Sequence, residues 1–319
     1  MTHHSPTPPR GFALPLVLAV AASALLLVLA SASTTWRAYR GARRAALAAR
    51  ADMAAERGVA DAVSGWLADS LRERPLADTL RAREVDAEGF TLQRVALRTA
   101  PFVFWVSAEA SEGGGGEPSA VRVVRTRAER LAPPSWPVRA AVSTTVLVDT
   151  TAATIVGALA PDVTDCLGEA HGAVPAVRTV PADSLRAAWA NSWSQALDRA
   201  RPWPAAVAAD ARWRVHVIPT RDSVLIGPRT WQGLLLHEGP LRLIGRFDGR
   251  GLLVVRGTLD ATAAQLTLSG AALVDDPAAR VSRLGPAVVQ WNRCDVAMAL
   301  ATIATPRAAP FHAWVGLTP

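Results

Sequence analysis

Two cysteines, six histidines and a few clustered carboxylates are the residues of this chain whose types could do chemistry. Cys166 has His171 nearby, and an imidazole beside a thiol can activate a nucleophile, but two such residues close together in sequence do not make an enzyme. Neither Cys166 nor Cys294 has a companion at metal-ligand spacing, so no metal site is expected. Asp260 and the pair Asp275-Asp276 fall at strand ends, where carboxylates commonly close turns; calcium binding there is the minor reading. His216 and His237 lie in strand-like segments and read as structural residues. The run Gly113 to Gly116 lacks the following Lys-Ser/Thr of a phosphate loop, so it reads as a hairpin tip. No G-x-S-x-G elbow, HExxH, Walker loop or dinucleotide fingerprint occurs. The expectation is a protein with no catalytic residues and no cofactor.

The elements that would carry such residues begin with the amino terminus. From Gly11 to Trp36 the chain runs 26 residues without Asp, Glu, Lys or Arg, more than the ~20 a helix needs to cross a bilayer core. In front of it, residues 1–11 form a short leader in which Pro6, Pro8 and Pro9 oppose helix formation. Pro15 is harmless only in a first turn, where amides lack partners anyway, so the helix is expected to begin near Phe12. Alanine and arginine then dominate, and no proline appears until Pro75. One helix over 12–71 would be roughly 90 Å long. Val59, Val63, Trp66, Leu67 and Leu71 recur at spacings of three and four, a stripe ready to pack on a sheet.

After Pro75 the pattern turns to strands. Gly89 to Leu97, Phe102 to Ala110 and Val121 to Arg127 predict a three-stranded antiparallel meander over about 85–131, covered on one face by the helix. Pro133, Pro134 and Pro137 mark a boundary, and 138–319 is long enough for a β-rich unit with its own core. That unit opens with strands at Val142 to Val148 and Thr154 to Leu159. A helix over about 183–199 follows, capped by Asp183 or Ser184, with Trp189 and Trp193 one turn apart as core or interface. Between Leu241 and Asp276, LRLIG, GLLVVRG, LTLSG and AALVDD read as short rungs. Gly245, Gly251, Gly257 and Gly270 supply the tight bends between them. A β-sandwich is the alternative. The fold class is α+β: a long helix on a small antiparallel sheet, then a mainly β unit with a short β-helix-like ladder.

Arg10, Gly11 and Phe12 at the mouth of a long apolar helix resemble a prepilin processing site, and the closest resemblance is to PilX-type minor pilins. Met53 to Leu67, MAAERGVADAVSGWL, is similar to the second half of that family's helix. The resemblance covers roughly residues 10–70, with a weaker echo in the G-L-hydrophobic-G segments of large PilX-like proteins. It implies cleavage after Gly11 by a prepilin peptidase and N-methylation of Phe12. It further implies partnership with other pilins or pseudopilins and with the assembly platform. Most pilins carry Glu at the fifth mature position, where this chain has Leu16. An unpaired carboxylate in lipid is costly, and K-type minor pseudopilins at filament tips also lack it. Leu16 therefore favours a tip-proximal subunit acting in assembly or adhesion.

Arg37, Arg40, Arg43, Arg44, Arg50 and Arg57 follow the span while only Arg10 precedes it, which by the positive-inside rule opposes an external carboxyl-terminal part. The processing-site resemblance and the cysteines argue for the opposite orientation: inner membrane, periplasmic carboxyl-terminal unit, then pilus or pseudopilus. In that compartment Cys166 and Cys294 are most simply a disulfide, worth on the order of 4 to 5 kcal/mol for so long a loop. The net charge of +7 comes from 34 basic residues, all Arg, against 27 acids. Beyond residue 50 the two signs interleave and no nucleic-acid motif occurs, so nucleic acid is not an expected partner. Two other readings of the amino terminus are a secretory signal cut after Ala30-Ser31-Ala32 and a plain membrane anchor. The competing function is an anchored or secreted β-domain protein that binds a surface ligand.

Overall fold

The computed structural model describes residues 13–69, 71–112, 121–158, 166, 172–190, 192–203 and 212–307. The predicted processing residues Gly11 and Phe12, the tip Gly113 to Gly116, and His171 lie outside them.

The first element is a single helix, α1, Ala13–Asp69, of 57 residues. Pro15 sits in its first described turn, where a missing amide costs nothing. Leu71 lies beyond its end yet is fully buried. Four antiparallel strands follow: β1 (Thr79–Val85), β2 (Phe90–Ala100), β3 (Val103–Glu112) and β4 (Arg122–Ala132). In β3, Phe104, Val106, Ala108 and Ala110 are buried, while the residues between them are not. That period of two gives the sheet one apolar face. Helix α1 covers this face, bringing Val59, Val63 and Trp66 onto Phe104, Val106 and Ala108. Small residues at Ala51, Ala54, Ala55 and Ala62 let helix and sheet approach closely.

The remaining elements are β5 (Val142–Thr144), β6 (Val148–Asp149), β7 (Thr154–Val156), β8 (Val177–Thr179), α2 (Ala182–Trp189) and α3 (Trp193–Arg199). They continue with β9 (Arg201–Pro202), β10 (Arg214–Ile218), β11 (Val224–Ile226), β12 (Arg229–Glu238), β13 (Leu241–Arg256) and β14 (Leu259–Val274). The last are β15 (Ser282–Arg283), β16 (Val288–Trp291), α4 (Arg293–Ala301) and β17 (Thr305–Arg307). Strands β5 to β16 belong to one 12-stranded sheet in which every described strand pair is parallel. Among the described residues its strands show none of the antiparallel pairing of a sandwich; one isolated antiparallel bridge, Ala158 to Val174, lies outside the named strands.

The register is that of stacked coils. Arg229 lies opposite Phe247 and Glu238 opposite Arg256, an offset of 18 residues. Arg214 lies opposite Gly233 and Gly251 opposite Gly270, an offset of 19. Gly233, Gly251 and Gly270 therefore stack at one corner with φ of 120°, 123° and 136°. An added Cβ at each would run into the backbone of the neighbouring rung, at Arg214, Gly233 and Gly251 respectively. These glycines lie inside the strands and bend them. The predicted short rungs LRLIG and GLLVVRG are thus one 16-residue strand, β13.

Beyond the glycine corner, Leu252 to Val255 and Ala271 to Val274 are all buried. Alternate members face two cores. Leu235, Leu253, Val255, Ala272 and Val274 point into the coil. Leu234, Leu236, Leu252, Val254, Ala271 and Leu273 point out, onto Trp136, Trp189, Trp193, Trp213 and α4. A strand covered on both faces needs an unbroken apolar run, which is why GLLLH, GLLVV and GAALV do not alternate.

Several expectations need correction. The predicted helix over 183–199 is two helices, and Pro181 takes the cap position of α2 with no side-chain cap. Asp183 falls inside the first turn and Ser184 one residue further, so neither is placed to close it. The predicted three-stranded meander is a sheet of five, in the order β1-β2-β3-β4-β17. Strand β1 escapes notice because TLRAREV buries no residue fully. Strand β17 arrives from a distant part of the chain to pair with β4.

Candidate functional site

Between 14 and 46 every residue of α1 is exposed, including Leu14, Leu16, Leu18 and Leu25 to Leu29. This helix is long and apolar enough to cross a membrane, and none of its apolar window is buried within the chain. Leu16, the predicted assembly residue, is 65 % exposed. Burial begins only at Ala51, where the sheet starts to cover the helix. The helix thus has two parts: among the described residues nothing covers the first, while the sheet covers the second.

Cys166 and Cys294 form a disulfide, with Cα atoms 5.6 Å apart across 128 positions. The bond joins the segment after β7 to the first turn of α4. Beside it lies a polar cluster around the buried Asp295 that the sequence patterns did not show. Asp295 accepts from Arg250 Nη2 at 3.0 Å and from Ser269 Oγ at 2.6 Å. Asn292 caps α4 by accepting from the Asp295 amide at 3.1 Å. Asp295 is nearly fully buried, so these bonds hold α4 against the ladder at its charged end. The signal in the sequence was N-R-C-D, an Asn followed three residues later by an acid.

The other residues singled out for chemistry are occupied in structural work. His237 is fully buried, its ring nitrogens 3.2 Å from the Ile218 and Pro240 carbonyls. His216 packs edge-on to Trp203, and burial, reinforced by Arg214 and Arg201, lowers its pKa to about 4. Asp260 Oδ1 accepts from both the amide and the hydroxyl of Thr262, and those bonds lower its pKa. Burial works against ionisation of Asp276, but bonds from Arg280, Ala278 and Thr258 hold its pKa below the usual value. Asp275 accepts from Thr145. Trp189 and Trp193 are buried against Trp136, with the Arg256 guanidinium 5.3 and 5.0 Å from their rings. Of the two readings, core or interface, they take the first. Among the described residues, no three His, Cys, Asp or Glu side chains gather as a metal site.

Charge is also patterned along the outer face. Arg242, Asp260, Arg283 and Asp149 stand opposite one another on four successive rungs, alternating in sign. A slip of one rung would place like charges together, so the pattern favours the observed stacking. Two further residues escaped the sequence reading because only the tertiary fold assembles their partners. Glu73, just after α1, accepts from Arg201 at 2.8 Å and from Arg214 at 3.4 Å, tying the first sheet's entry to the ladder. Arg98 is buried in β2 and donates to the carbonyls of Arg72, Arg74 and Pro101, and burial lowers its pKa to about 9.

No protein-family model, no curated protein and no solved structure matches the chain.

Proposed function

We propose that this chain is a membrane-inserted, non-enzymatic minor pilin or pseudopilin of a type IV pilus or type II secretion-like filament. The observation that carries the reading is the division of α1. Its apolar first half is bare, while its second half lies on an antiparallel sheet. A subunit that joins a filament through helix packing needs that division, because the bare half is where neighbouring helices would supply the missing contacts. In this reading a prepilin peptidase cuts between Gly11 and Phe12, and Phe12 is N-methylated. Leu16 in place of a carboxylate puts the subunit near the filament tip. The partners are other pilins and the assembly platform. The chain passes from a single-pass inner-membrane state, with its carboxyl-terminal unit in the periplasm, to the filament. The disulfide supports a location outside the reducing cytoplasm.

Amino-terminal sequencing with mass spectrometry of the mature protein tests this directly. A methylated Phe12 is expected. A start at Ser33 would mean a secretory signal, and an intact Met1 a plain anchor; either overturns the pilin reading. The second reading, an anchored ligand-binding protein outside any filament, draws support from Arg242, Asp260, Arg283 and Asp149, a polar row on successive rungs of the parallel ladder. Co-purification with pilus or secretion components separates the two.

A further inference from the structure

The chain contains no acidic residue before Asp52, yet Arg37, Arg40, Arg43 and Arg44 follow the apolar run within two turns of helix. All four are exposed, and among the described residues none forms an ion pair. A carboxylate three or four positions away would stabilise an arginine on a helix, and none of these four has one.

The placement is not random around the helix. At 3.6 residues per turn, the four arginines together with Trp36 and Tyr39 fall within an arc of about 160°. Ala38, Gly41, Ala42 and Ala45 hold the opposite side. Trp36 and Tyr39 stack with ring centroids 6.0 Å apart, and the Arg40 guanidinium lies 4.7 Å over the Trp36 ring. The uncharged run Leu14 to Trp36 would span roughly 34 Å as helix, close to the ~30 Å of a hydrocarbon core. That puts Trp36 and Tyr39 at the interface, where amphipathic aromatic rings settle. Arg37 to Arg44 then rises about 10 Å, through the headgroup layer of roughly 5 to 7 Å on that side and to its outer edge. The covering sheet begins only at Ala51, so the arginine face is left open beneath it.

We propose that Arg37, Arg40, Arg43 and Arg44, with Trp36 and Tyr39, form a collar that binds anionic phospholipid headgroups. The guanidinium matches a phosphate by paired hydrogen bonds, and each arginine near an anionic surface contributes attraction that salt screens. The aromatic pair on the same face favours a lipid over an acidic protein surface. The inference rests only on membrane insertion of α1, which the pilin and plain-anchor readings share, and it holds for either orientation. It also recasts these arginines: their work is to hold the exit of the span at a lipid surface.

The test is the full-length protein in phosphatidylcholine vesicles, doped with spin-labelled phosphatidylglycerol or spin-labelled phosphatidylcholine. The motionally restricted fraction is read by electron paramagnetic resonance. The expected result is at least about threefold selectivity for phosphatidylglycerol at low salt, falling toward one near 1 M salt, where screening reaches ~3 Å. The R37Q/R40Q/R43Q/R44Q variant should lose the selectivity, and the corresponding four-lysine variant should keep most of it. Equal restriction of both lipids by the native protein overturns the proposal, as does selectivity that survives in the glutamine variant. If the glutamine variant fails to insert, the salt titration of the native protein decides. Absent lipid selectivity with salt-sensitive self-association would assign the collar to an acidic protein face and also overturn it. None of these outcomes depends on Phe12 processing, so failure here and failure of the pilin reading are distinguishable.

Discussion

In β3, the buried residues Phe104, Val106, Ala108 and Ala110 alternate with outward ones, whereas in β13 the residues Leu252, Leu253, Val254 and Val255 are buried in succession. The first sheet has one covered face and is specified by local alternation, with α1 delivered to it by the preceding chain. The parallel ladder is covered on both faces along this stretch, and its outer cover comes from Trp136, from α2 and α3, and from α4, which lie far apart in sequence. A sheet of the first kind can tolerate a local change that leaves its alternation intact. One of the second kind depends on close backbone stacking and on distant parts of the chain arriving together.

The comparison is most sharply tested at glycines. Gly251→Val would place a β-branched side chain at φ 123° and against the Gly233 backbone. It should cost the ladder about 4 to 5 kcal/mol or more, seen as loss of amide-exchange protection over 212–291. Gly41→Ala in α1 meets nothing within 4 Å and should be neutral or stabilise the helix by up to about 1 kcal/mol. A Gly251→Val protein that retains native protection would break the comparison.

A smaller effect is expected on reduction of Cys166–Cys294. Opening this long loop should cost roughly 2 to 5 kcal/mol, and the loss should appear around α4 and the ladder. The antiparallel strands β1 to β4 should keep their protection. Equal loss in both regions would show that they unfold as one unit.

The smallest effect concerns pH. His216 has a folded pKa of about 4 against an ordinary value of 6.5, so folding favours its neutral form. The associated stability is complete above pH 6.5 and is lost as pH falls through that window toward 4, by at most roughly 3 kcal/mol. His216→Gln should flatten the stability of the ladder between pH 6.5 and 4 in denaturant titrations. The carboxylates Asp260 and Asp276, whose folded pKa values are depressed, add stability above the unfolded value near 4 and lose it only in stronger acid. A native protein with flat stability across pH 4 to 6.5 would remove the role assigned to His216.

Legibility in the sequence followed the range of the interactions. Helix α1 was readable because propensity, the absence of proline and the charge-free run all act within a few turns. Strands β2 to β4 were readable from alternation. The edge strand β1 was not, since a strand with one neighbour and no fully buried residue has no apolar pattern to show. The glycines of the ladder were visible as bends, but their stacking at offsets of 18 and 19 emerges only from pairing. Of the candidate site, the apolar run and the arginines behind it were plain, whereas the polar cluster around Asp295 and the link through Glu73 were not.

By itself the sequence determined the bare apolar helix, the continuous apolar rungs and the excess of arginine behind the span, because each rests on residue type at short spacing. Tertiary structure decided which segment is neighbour to which. Segment 142–156, first in the chain within its unit, pairs with strands β14 to β16 at the far end of the ladder. Near the other end of the chain, 305–307 returns to complete the first sheet. Such pairings are settled by the free energy of burying distant surfaces together against the entropy of closing long loops, and no local pattern of residues records that balance.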